Sequence, residues 1–152
     1  MLAVNDDRTI NEAMYNAASE KENNCKMFDY LISKGANDFT GSFLAASKNN
    51  HFKNCIYFSE KLNYSENIQV LRKISKRGRK ISKRGKVYKY LSQKCRCMKY
   101  YNKHRQKFIR ESNEKWVIIF GKNRHIICDS EEQALKKAKQ IKTLVALIYK
   151  IN

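Results

Sequence analysis

The side chains of this sequence that could do chemistry are mostly cations. Seventeen of its 32 Lys and Arg lie between Glu66 and Glu111, and those two glutamates are the stretch's only acids, which leaves it at +15. Residues 1–65 come to −1 and residues 112–152 to +4, so the formal +18 is concentrated in one block. Like charges at this density repel one another, and a polyanion relieves the repulsion. The chemistry to expect is phosphate neutralisation. The cations predicted to contact phosphate are Lys76, Arg77, Arg79, Lys80, Lys83, Arg84 and Lys86, with Tyr88, Tyr100 and Tyr101 supplying rings for stacking or packing. Contact with ~6 phosphates would give a log–log salt slope near −5 on duplex DNA. The block carries no zinc-finger or RRM signature, so the expected binding to DNA or RNA is without sequence preference.

Other chemistries have thinner support. Cys95-Arg96-Cys97 with His104 offers too few ligands, too closely spaced, for a structural zinc site, and no metal is expected. If exposed beside Lys94 and Arg96, those thiols would have a lowered pKa and oxidise readily. His51, His104 and His125 have no nearby Ser/Asp or Glu pattern, and Glu131-Glu132 suits a helix N-terminus better than a paired-acid site. A phosphate-cradling Gly-rich loop is lacking. The sequence predicts a non-enzymatic protein with no cofactor. Lys73–Lys86 also has the composition of a nuclear-localisation signal, because the same cations suit an acidic carrier groove.

Three segments must position these residues: 1–65, the basic stretch 66–111, and 112–152. Proline is absent throughout, so no residue forces a break in a helix. In the middle segment Ser65 is a candidate N-cap with Glu66 in the first turn, and Lys-Ile-Ser-Lys-Arg-Gly occurs twice, at 73–78 and 80–85. Ile74, Ile81, Tyr88 and Cys95 recur every seventh residue, with Leu91 and Met98 between the later ones. Gly78 and Gly85 each cost a helix about 1 kcal/mol. A long basic helical connector is expected, frayed over 73–86 and firm from Val87 to about Arg110.

Residues 10–63 read as two imperfect copies of a helix pair. The first has Met14, Tyr15, Ala17 and Ala18, then Met27, Phe28, Tyr30, Leu31 and Ile32, and ends at Ser33-Lys34-Gly35-Ala36-Asn37-Asp38-Phe39. The second has Phe43, Leu44, Ala45 and Ala46, then Asn50-His51, then Cys55, Ile56, Tyr57 and Phe58. A period near 30 residues indicates stacked helix pairs, each too small to bury its own face. Cys25 and Cys55 fall in the apolar-periodic stretches as small buried residues.

These features resemble the ankyrin repeat, in the divergent form encoded by large DNA viruses. The resemblance is carried by Ala17-Ala18 and Ala46, by Asn50-His51 where the family usually has Gly-His, and by Lys34-Gly35-Ala36-Asn37-Asp38. Neither copy has the family's Thr-Pro-Leu-His turn. The resemblance implies a protein partner bound through the repeats, and a viral protein working in host cytoplasm or nucleus, or in the virion.

The last segment changes period. Trp116–Phe120 and His125–Cys128 read as a hairpin, Asp129-Ser130-Glu131-Glu132 as the cap of a helix from about Glu131 to Lys142, and Leu144–Ile151 as a third strand. The fold class predicted is therefore α+β, mainly α: ankyrin-like repeats, a basic connector and a small ββαβ module. The hairpin plus Ser130–Lys139 is faintly similar to the AP2-type DNA-binding domain, which lays a three-stranded sheet in the major groove. The remaining alternative is a small virion or scaffold component whose basic arm docks on an acidic protein surface.

No window holds the roughly 20 apolar residues of a membrane span, and Met1–Asp7 turns acidic without an apolar core, so neither a membrane partner nor a secretory signal is expected. Five Cys without an export signal fit reduced thiols.

Overall fold

The computed structural model describes residues 7–77 and 85–152, with side chains described for 8–75 and 85–152. The chain is α+β and mainly α, with seven helices and one three-stranded antiparallel sheet among the described residues. It divides into two compact units, Met1–Tyr88 and Lys89–Asn152.

The first unit is all helical: α1 (Asp7–Glu20), α2 (Cys25–Ser33), α3 (Phe39–Lys48), α4 (Phe52–Lys61) and α5 (Tyr64–Arg77). Helix α1 packs on α2 and α3, and α3 packs on α4 and α5. Small residues let the helices approach: Ala18, Ala45 and Ala46 are buried among Met14, Phe28, Phe43, Phe58 and Val70. The same device ends α2, between the two helix pairs, and α3, within the second pair. After α2, Gly35 (φ +105°) donates to Ile32 and Ala36 donates to Leu31; after α3, Asn50 (φ +55°) donates to Ser47 and His51 to Ala46. Each is a Schellman cap, which requires a left-handed residue after the helix end, and Asn50 does at the second site what Gly35 does at the first.

Side-chain amides close the loops. The buried Asn54 donates to Ala18 O and Lys21 O and accepts from Asn24 N. Asn11 Oδ1 accepts from Asn37 N and Asp38 N at 2.8 and 2.9 Å, and Asp38 caps α3 by accepting from Gly41 N. The cap of α5 differs from the expected Ser65. Asn63 and Glu66 form a reciprocal capping box, each side chain accepting from the other's backbone N–H at 2.9 and 3.1 Å. Asn63 wins because Glu66 sits three residues after it and can close the second bond.

The division between units falls in the first turn of α6 (Lys86–Ser112). The rest of α6 joins β1 (Trp116–Phe120), β2 (Arg124–Cys128), α7 (Glu131–Gln140) and β3 (Ala146–Lys150) in the second unit. Strand order is β2-β1-β3, all antiparallel, so the ββαβ order expected from the sequence is present. Strand alternation gives each sheet face its own core. Val117, Ile119 and Ile151 pack with Cys97, Tyr101 and Phe108 of α6, while Ile118 and Cys128 pack with Ala134 of α7. The sheet is thus a middle layer between two helices. Helix α7 stops at Gln140, short of Lys142, because Ile141 turns extended and packs into the α7-side core.

Candidate functional site

Of the seven cations singled out from the sequence, Arg79, Lys80, Lys83 and Arg84 lie outside the described residues. Lys76 and Arg77 fall in the last turn of α5, with side chains outside the description. Lys86 is exposed, with its ammonium 4.4 Å from the centroid of the Phe52 ring, a cation–π contact.

Helix α6 adds a feature that the sequence reading passed over. Arg96, Lys99, Lys103, Lys107 and Arg110 are all exposed and spaced 3, 4, 4 and 3 apart. That spacing places five cations in one stripe. The buried positions Cys97, Tyr101 and Phe108 define the opposite, sheet-facing side of the helix. At 1.5 Å rise per residue the stripe is about 21 Å long, room for about six phosphates of one strand at 3.4 Å each. Among the described residues no carboxylate pairs with any of the five. The ion pairs Lys115–Asp129 (3.2 Å) and Lys150–Glu114 (3.7 Å) lie elsewhere. The signal was available in the sequence as a seven-residue recurrence of cations, masked there by the richer 73–86 repeat. Lys94, by contrast, is buried, its ammonium 5.9 Å from the Tyr90 ring centroid.

The three tyrosines have different surroundings. Tyr101 is 8 % exposed and stacked on Tyr149 at 3.9 Å, with ring planes 5° apart, so it is a packing residue whose face is already covered. Tyr88 is half-buried. Tyr100 is half-buried at the rim of a groove between α6 and β2, where its hydroxyl lies 3.0 Å from His125 Nδ1.

Burial settles the thiols. Cys95 and Cys97 are 3 % and 2 % exposed. Burial pushes the Cys95 thiol up to about 11 against a weaker lowering by Lys94, and it also raises Cys97 against Arg96. Neither is the activated, exposed thiol that their cationic neighbours would have produced at a surface. Among the described residues no group of three or more His, Cys, Asp or Glu could hold a metal ion, and no helix is long and apolar enough to cross a membrane.

Cys97, Tyr101 and Phe108 of α6 pack on one side of the sheet and Ala134 of α7 on the other. Comparison of the chain with protein-family models, with curated proteins and with solved structures finds no match.

Proposed function

We propose that this is a non-enzymatic binding protein whose basic segment contacts the phosphates of nucleic acid without sequence preference. The observation that carries the reading is the one-sided stripe of Arg96, Lys99, Lys103, Lys107 and Arg110, exposed and unpaired with acids among the described residues. A helix with its opposite side in a core holds such a stripe straight, so five cations meet a strand with little ordering entropy left to lose. The cations at 76–86 add the same phosphate-neutralising chemistry in the adjoining sequence. Shape and charge complement a phosphate backbone and contain no base-reading pattern.

The N-terminal helix pairs, with Phe28 and Phe58 meeting at like positions of α2 and α4, support an ankyrin-like module that would take a protein partner. Host cytoplasm or nucleus, or a virion, follows from that resemblance alone. The test is fluorescence anisotropy with generic duplex DNA and single-stranded RNA across a salt series. Binding that weakens steeply with salt, without ranking duplex sequences, supports the proposal. Weak, salt-insensitive binding to both would instead favour an acidic protein surface as the basic segment's partner.

A further inference from the structure

The second unit holds a groove of about 140 Å³ between α6 and the edge strand β2, lined by Tyr100, His104, Lys107, Phe108, Glu111 and His125 among others. It is too small for a drug-sized cofactor, whose sites run to ~300 Å³ or more, and four of its eight lining residues carry rings. Tyr100 and His104 lie 4.2 Å apart between centroids, Tyr100 and His125 5.9 Å, and Phe108 meets His125 edge-on at 5.1 Å. The rings are held from behind. His104 Nδ1 is 2.9 Å from the backbone carbonyl of Tyr100, and the Tyr100 hydroxyl is 3.0 Å from His125 Nδ1. A carbonyl can only accept, so His104 donates its Nδ1–H to that of Tyr100.

We infer that this groove receives the base of an unpaired nucleotide. Half-buried and exposed rings of Tyr100, His104 and His125 beside the Lys107 ammonium are the elements of a single-strand stacking site, and stacking accepts any base because every base has a π face. The occupant is single-stranded because in a duplex both faces of each base are already stacked on neighbours. Two charged groups orient it. Lys107 belongs both to the groove and to the cationic stripe, so the phosphate of the bound nucleotide continues the backbone path along α6. Glu111, one helical turn further, repels phosphate and accepts from an exocyclic amine, which cytosine, adenine and guanine have and thymine and uracil lack. The groove thereby adds a stacked base, with a preference for amino-bearing ones, to the phosphate binding proposed above, and it rests on that reading.

The experiment compares the full chain's affinity for two single-stranded oligonucleotides of equal length, one of cytosine and one abasic, by anisotropy at fixed salt. Both carry the same phosphates, so their ratio isolates the base. The expected result is binding of the cytosine strand on the order of tenfold tighter. His125→Ala and Tyr100→Ala would each erase that ratio. His125 is exposed, so its variant keeps the core intact if Tyr100→Ala does not. Glu111→Gln would bring cytosine and thymine strands closer together. Equal binding of cytosine and abasic strands by the unaltered chain overturns the groove while the phosphate reading stands. If neither strand binds, the phosphate reading falls and takes the groove with it.

Discussion

The rings of Phe28 and Phe58, thirty positions apart in the sequence, meet with centroids 4.6 Å apart and planes tilted by 50°. Each lies in the second helix of its pair, α2 and α4, and both are fully buried. Like positions of successive helix pairs therefore touch, which is what stacking of equivalent units requires. Phe58→Ala should cost about 3–5 kcal/mol. Chemical denaturation checks this, and a double-mutant cycle with Phe28→Ala should show coupling of ~0.5–1.5 kcal/mol beyond additivity.

The loops of the same unit depend on amides more than on apolar contact. Asn54→Leu keeps the branching at Cγ but leaves Ala18 O, Lys21 O and Asn24 N without their partner. Each buried group left unpaired costs about 1–3 kcal/mol. Urea unfolding should place this variant well below an exposed-site control such as Lys26→Ala.

Gly41 faces the carboxylate of Asp38, and a Cβ there would overlap it. Gly41→Ala should expel Asp38 from its capping position, and the lost α3 cap, about 1 kcal/mol, should offset alanine's helix-propensity gain of about 1 kcal/mol. A thermal melt that shows Gly41→Ala gaining the full propensity increment over the parent would contradict this geometry.

Alkaline pH should weaken the fold. The Cys95 thiol moves from 9.0 to about 11 and Cys55 from 9.0 to about 12, in each case chiefly by burial. Folded thiols with raised pKa hold protons that the unfolded chain releases, so their contribution is intact below pH 9 and is lost as pH rises from 9 through 11–12. Cys95→Ala should flatten the pH dependence of unfolding free energy in that window. At neutral pH both thiols should react with a disulfide reagent only on unfolding.

Much of the second unit was legible because its signals are local. Trp116–Phe120 and Ile126–Cys128 are short apolar runs either side of a turn, Gly121 and Asn123 supply the positive φ of that turn, and Ser130 with Gln133 fixes the start of α7. The helix pairs were legible through Ala18, Ala46 and Gly35. What could not be read was where side chains end up across long separations. Tyr101 looked like a stacking face for a ligand, but Tyr149 already covers it. The groove joins Tyr100 to His125, 25 residues away on another element, and no spacing rule in the sequence links them. The covering of both sheet faces also required knowing that α6 returns onto β1.

The most direct measurement compares the chain with a variant carrying Gln at Arg96, Lys99, Lys103, Lys107 and Arg110, by anisotropy on duplex DNA across a salt series. If the stripe neutralises phosphates, the log–log slope should become shallower by about 4, close to 0.9 for each phosphate no longer neutralised. The variant should meanwhile unfold like the parent, since these side chains are exposed. An unchanged slope with weakened or unaltered binding would contradict α6 as the surface that meets phosphate.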